Sequence, residues 1–317
     1  MFRSKKMYDL CFRSIQGLPL PARALTAYLI ESILGRLLRT EDVVVCSYVW
    51  MSNHVHMQLF SLDCAALISF YGGLMKRITD FLKRLLGLPH LRLWEDRPTV
   101  SEVLDLDAAI DRIVYTYLNP VRAGLVRRID DYTGCNTWRE FLSAPANVDA
   151  IVEKEVPWVR LTDISPLTRA NPSVPEERRI LKFLEERTSK RETHTIRIMP
   201  FKWLEAFKII DPIEIERIRR RIISRVREEE ETLSAEHIPH RPIEGFIVKD
   251  TYIPRKKERK VFMYGSTKEI RCQYLAIFDV FIRQCAECFE LLKQGYSTIS
   301  WPPECFKPPG PKLCNAF

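Results

Sequence analysis

Two histidines, a tyrosine and an asparagine are the residues of this chain whose types and spacing could do chemistry. His54 and His56 stand two apart in WMSNHVHMQLF, residues 50–60. Side chains alternate faces along a strand, so both imidazoles project from one face, about two residue rises apart. Two imidazoles at that distance can share one divalent metal. The plain alternative is a histidine pair on a half-exposed sheet face. Tyr115 and Asn119 lie four apart in DRIVYTYLNPVRAGLV, residues 111–126. On a helix they share a face. A tyrosine hydroxyl beside a metal that polarises a phosphate is a candidate nucleophile. The amide oxygen of Asn119 could complete a three-residue metal site, with water and substrate in the remaining positions. A structural role competes for that oxygen. Asn119 precedes Pro120, a position pushed away from helical geometry, and Pro120 suits the first turn of a new helix with Asn119 as its N-cap.

The elements that must position these residues are legible in the pattern. Residues 7–14 alternate loosely as a strand, broken by Gly17, Pro19 and Pro21. Residues 22–38 repeat apolar positions at helical spacing. Residues 43–50, VVVCSYVW, are β-branched and aromatic, and a turn at Ser52-Asn53 returns the chain as a second strand over 54–60. Residues 64–86 predict a long amphipathic helix, loosened at Gly72-Gly73. A strand follows within 98–104, and Asp107 can cap a helix running to Asn119. The order β-α-β-β-α-β-α predicts an α+β, ferredoxin-like βαββαβα domain over residues 1–150, its sheet antiparallel with helices on one face.

After about residue 150 the composition shifts. Three prolines in 165–178 suggest a linker, and Arg, Lys and Glu dominate 178–262. Residues 213–231 are a strong helix former, 254–260 (PRKKERK) is a basic cluster, 267–294 is helical, and the tail is proline-rich and extended. Residues 151–317 therefore read as a basic, mainly helical extension.

The chain has 317 residues, 46% of them hydrophobic, enough for a real core, and a formal charge of +8. Most of the basic excess falls after residue 150. That balance favours a polyanionic partner. The N-terminus has no run apolar enough for a signal peptide, and no stretch of about 18 apolar residues predicts a membrane span. Nine cysteines in irregular spacing suggest reduced thiols in a cytosol. No glycine-rich phosphate loop occurs.

With these residues in view, the chain resembles the single-tyrosine HUH transposases, most of all the REP-associated tyrosine transposases. The resemblance rests on His54-Val55-His56 in SNHVH and, about sixty residues on, Tyr-x-x-x-Asn-Pro-Val-Arg-Ala-Gly-Leu-Val from Tyr115. It extends to YDLCFRSIQGLPLP, to LWEDR before TVSEV, and more loosely to the tail. It implies that Tyr115 attacks a phosphodiester of single-stranded or hairpin DNA, giving a 5′-phosphotyrosine link and a free 3′-hydroxyl. A second transesterification would rejoin strands without a nucleotide cofactor. His54 and His56 would hold the metal with Asn119 as third ligand. Imidazoles alone suit zinc or nickel; phosphoryl chemistry and the resemblance together point to Mg²⁺ or Mn²⁺.

Other residues have a DNA reading beside a bland one. Lys76, Arg77, Lys83 and Arg84 make two basic steps on the long helix that could track a phosphate backbone, or be solvated charge. Arg122 could contact the backbone or form a salt bridge at a helix end. Arg97 and Trp94 fall where the family has a similar pair, Trp94 reading first as packing. Tyr117 reads as core, and the 219–221 arginine run as either a solvated or a DNA-gripping helix face. Cys285 and Cys288 have C-x-x-C spacing but no second pair, so buried cysteines are the better reading than zinc. Two rival functions remain open: a domesticated protein that binds DNA hairpins without cutting, and a zinc hydrolase needing Glu102 or Asp105 as a further ligand. The sequence leaves open whether the protein works as a monomer or a dimer.

Overall fold

The computed structural model describes residues 3–15, 24–51, 53–95, 98–167, 173–235, 261–296, 298–303, 305 and 307. Arg97, the basic cluster 254–260 and most of the proline-rich tail lie outside the described residues.

The first seven elements come in the expected order: β1 (Lys6–Arg13), α1 (Ala24–Leu37), β2 (Val43–Trp50), β3 (His54–Ser61), α2 (Cys64–Leu85), β4 (Thr99–Val103) and α3 (Leu106–Arg122). The chain continues through α4 (Trp138–Ser143), β5 (Val152–Pro157), α5 (Val174–Thr188), β6 (Thr193–Ile198), α6 (Pro212–Ala235), β7 (Met263–Tyr264) and α7 (Lys268–Lys293).

All seven strands form one sheet in the order β5-β6-β2-β3-β1-β4-β7. The four strands before residue 150 pair antiparallel, as expected. The whole sheet is mixed, because β6 joins β2 in parallel and β7 joins β4 in parallel. The segment after residue 150 is therefore more than a helical extension. It lays strands on both open edges of the first four, which satisfies edge backbone groups that would otherwise invite another chain. The sequence reading missed these strands: Thr193–Ile198 reads THTIRI, and only His194, Ile196 and Ile198 are buried alternates.

Helices cover both faces rather than one. Val55, Met57 and Leu59 of β3 pack with Leu67, Phe70, Leu74 and Ile78 of α2 and with α1. Phe60 and Val49 turn the other way, against Ile110, Ile113, Val114 and Tyr117 of α3. In β2 nearly all positions of both alternate sets are apolar, as a strand buried on both faces requires. The near-continuous hydrophobic run of β2 has this cause.

Two local expectations change. Asp105, not Asp107, caps α3, its carboxylate accepting from the Ala108 N–H at 2.9 Å. Pro120 starts no new helix, since α3 runs on through it to Arg122. The helix α2 is likewise unbroken at Gly72-Gly73. A Cβ on Gly73 would stand 3.0 Å from Leu37 Cδ2, so the glycine lets α1 approach.

The charged helix α6 does not face open solvent all round. Ile215, Ile218, Ile222 and Val226 make a buried stripe at helical spacing in the same core as α3. Beside that stripe Arg221 pairs with Asp107 at 3.0 Å and Arg225 with Asp111 at 2.6 Å. Arg219 donates to the backbone oxygens of Leu142 and Ala144. These arginines hold α6 to its neighbours.

Candidate active site

The register of the central strands assembles the site floor. Cys11 lies opposite His56, and Asp9 opposite Gln58. Their side chains therefore share the face that α3 covers. On the other side of β3 a register shift between Val45 and Ser47 sets Ser47 opposite Gln58. A bulge of this kind re-aims the side chains after it. Ser47 then shares a hydrogen bond of 2.5 Å with Gln58.

Three rings stand in a row above this floor. His54 and His56 have ring centroids 5.2 Å apart with planes at 86°. His56 and Tyr115 have centroids 5.3 Å apart at 85°. The hairpin strand and the helix thus bring together the histidine pair and the tyrosine that the sequence singled out. His54 is half-buried, and its Nδ1 shares a 2.7 Å hydrogen bond with Asn53 Oδ1. His56 is buried at 5% exposure.

Below the rings is a buried polar network. Gln58 donates to Asp9 Oδ1 at 2.6 Å and to Thr116 Oγ1 at 2.8 Å. Arg112 Nη2 donates to Asp9 Oδ2 at 3.0 Å. Burial alone would lift the Asp9 carboxyl, but Arg112 and then His56 hold it below the usual range. His56 Nδ1 faces Asp9 Oδ2 at 3.8 Å. Burial works against a charged His56, yet Asp9 first and Cys11 second raise its pKa to about 9.

Arg112 also lies at this site, and the sequence reading missed it. Its guanidinium carbon lies 4.4 Å from the centroid of Tyr115 and 4.3 Å from that of Tyr264. Arg122 approaches Tyr115 at 5.2 Å. The signal was present: Arg112, Tyr115, Asn119 and Arg122 fall at i, i+3, i+7 and i+10, one helical face. Asp9 carried no signal of its own, because only the β1–β3 pairing places it. Tyr264 comes from β7, far along the chain.

Asn119 is 6% exposed, one turn beyond Tyr115, and its Nδ2 is buried without a hydrogen-bond partner. The fold engages that amide with neither a cap nor a side-chain bond through Nδ2. Two imidazoles and one amide oxygen are donor types that suit a divalent ion with open positions. Among the described residues no group of three or more His, Cys, Asp or Glu could hold a metal. Glu102 instead takes an ion pair from Arg3, and Asp105 caps α3. Neither serves the metal role that the zinc-hydrolase alternative requires.

The basic candidates of α2 are placed elsewhere. Lys76, Arg77, Lys83 and Arg84 belong to α2, which packs on the opposite face of the sheet from His56 and Tyr115. Lys76 pairs with Asp80 at 3.3 Å, and Arg84 Nε donates to the Ile164 oxygen at 2.9 Å. Arg122 forms an ion pair with Glu229 of α6. Trp94 donates to Thr79 Oγ1 at 3.0 Å and meets Phe12 edge-on, a packing role. Tyr117 is fully buried against Trp138.

No family model matches the chain, and no curated protein matches it. A similar solved structure is that of a REP-associated tyrosine transposase bound to a REP hairpin. It is 15% identical, with a TM-score of 0.37, over 45% of this chain and 82% of that one. At that score the similarity bears no weight on fold or activity. No helix among the described residues is long and apolar enough to cross a membrane.

Proposed function

We propose that this chain is a metal-dependent endonuclease and strand transferase for single-stranded or hairpin DNA, acting through a 5′-phosphotyrosine intermediate. The observation that carries the reading is the row His54–His56–Tyr115, in which the two candidate ligands are in ring contact with each other and His56 with the candidate nucleophile. The strand order β2-β3-β1-β4 of the first four strands supports a ferredoxin-like core beneath it.

His54, His56 and Asn119 would hold the ion, Mn²⁺ or Mg²⁺. When bound, that ion would supply charge stabilisation to the scissile phosphate. Tyr115 Oη forms the new bond to phosphorus while the bond from phosphorus to the 3′ oxygen breaks. The phenol proton ends, in net balance, on the departing 3′-hydroxyl. The phosphotyrosine conserves the diester, so no nucleotide is consumed. Arg112 and Arg122 lie against the Tyr115 ring and orient it, and they bring positive charge to where a phosphate would sit. Asp9 and Gln58 act through His56 and Arg112 as positioning residues.

The test is incubation of the protein with end-labelled hairpin DNA and Mn²⁺, read on a denaturing gel. A protein-linked DNA band that is lost in Tyr115→Phe supports the reading. Salt-sensitive binding without any such band across a broad set of hairpins would assign a binding protein instead.

A further inference from the structure

The two cysteines of the C-x-x-C pair of α7 meet different neighbours. Cys285 and Cys288 sit one turn apart on one side of the helix. The segment after α7 runs back along that side. Cys288 Sγ reaches the Ser300 oxygen at 3.4 Å. One turn earlier, Cys285 Sγ lies 3.3 Å from Cys305 Sγ. Two successive contacts in reversed order define a strap, with a turn from the Cys305 N–H to the Pro302 oxygen at 3.2 Å. Cys285 and Cys305 are both half-buried, open to a small reagent, whereas Cys288 is 8% exposed.

We propose that Cys285 and Cys305 are a modification site, a thiol pair that closes into a reversible intramolecular disulfide and fastens Cys305 to α7. The oxidant is a low-molecular-weight disulfide such as oxidised glutathione. One thiol, as its thiolate, attacks a glutathione sulfur and releases one reduced glutathione. The second, as its thiolate, displaces the other glutathione from the mixed disulfide. The protein loses two protons and two electrons, and two glutathione thiols are formed. A non-bonded sulfur separation of 3.3 Å leaves a short closing movement to the bond. Burial first, and then Cys305, push the Cys285 thiol up to about 11, so the reaction runs faster as pH rises above neutral. The neighbouring Cys272 is exposed on the same helix and supplies an internal reference.

The full reduced chain is equilibrated with glutathione redox mixtures, quenched by alkylation, digested with trypsin and mapped by mass. The expected product joins the peptide Gln284–Lys293 to the peptide beginning at Gln294, with the mass loss of a pair of hydrogens. The same link persists in Cys288→Ser. It disappears in Cys305→Ser, where Cys285 carries glutathione instead. Cys272 gives only alkylated or glutathionylated peptide. A Cys285–Cys288 bond, separate glutathionylation of Cys285 and Cys305, or a link found only between molecules would each overturn the proposal. Fragmentation of the linked wild-type peptide shows which of Cys285 and Cys288 carries the alkyl group, so the assignment stands even where a variant fails to fold.

Discussion

His56 of β3 and Tyr115 of α3 meet edge to face, with ring centroids 5.3 Å apart. The contact joins a strand and a helix that are about sixty residues apart in the chain. Tyr115→Phe removes one oxygen and keeps the ring contacts with His56 and Arg112. It is expected to abolish the covalent DNA adduct and leave the thermal midpoint nearly unchanged. His54→Ala is expected to abolish the adduct as well. Gel detection of the adduct beside a melting curve for each variant checks both.

Arg112 and Asp9 form a pair in which the carboxylate is fully enclosed. Arg112→Ala leaves that carboxylate buried with a lost cation. A loss of about 3–5 kcal/mol in stability is expected from such a broken pair. Adding Asp9→Asn removes the stranded charge, so the double variant should recover part of the loss. Urea unfolding of both single variants and the double one measures the coupling. Equal losses in the single and double variants would show that Asp9 is not the reason for the cost.

Gly35 of α1 faces β5 and β6. An added Cβ would come within 2.5 Å of Val156 Cγ2 and 2.9 Å of His194 Cβ. Gly35→Ala is expected to cost about 1–3 kcal/mol by overpacking. Because β5 and β6 share the sheet with β2, the loss should shift one cooperative transition. Calorimetry that shows only a separate, minor transition moving would mean that the two halves fold as independent units.

Asp163 is buried and accepts from Arg191 Nη2 at 2.9 Å, Arg187 Nε at 3.2 Å and the Arg160 N–H at 2.8 Å. Burial opposes its charge, but these partners hold its pKa below the ordinary aspartate value. The stability from a depressed carboxyl is present above the unfolded pKa and is lost as pH falls through the folded one. Asp163→Asn should therefore lower stability at pH 7, on the order of 1–2 kcal/mol. The difference from wild type should shrink below about pH 4. Melting curves from pH 3 to about pH 7 read the convergence.

The α2 cations lie across the sheet from Tyr115. Lys76→Gln with Lys83→Gln is expected to leave the adduct yield and the salt dependence of hairpin binding unchanged. A phosphate contact at either residue would instead reduce the salt slope by about 1 per residue. Filter binding at several salt concentrations distinguishes these results.

Much of the frame was determined by the sequence alone. Period-two alternation put His54 and His56 on one face, and helical spacing put Tyr115 and Asn119 on another element facing a common direction. Both patterns are local, so a single strand or helix states them without its partners. The tertiary structure decided what stands opposite. Nothing within Lys6–Arg13 says that Asp9 will meet Gln58, because strand register belongs to the pair and not to either strand. Arg112 could be placed on the Tyr115 face by spacing, but its role waited on Asp9 and Tyr264. The basic helix α6 looked solvated because charge composition does not reveal a neighbour, and Asp107 and Asp111 of α3 are far away in sequence. The strands β5 and β6 were hidden among charged residues, since a strand with one face in water needs only its inward alternates to be apolar. Side-chain direction along an element was readable from the chain. The partner each face meets was set by packing, where contacts between distant segments decide together.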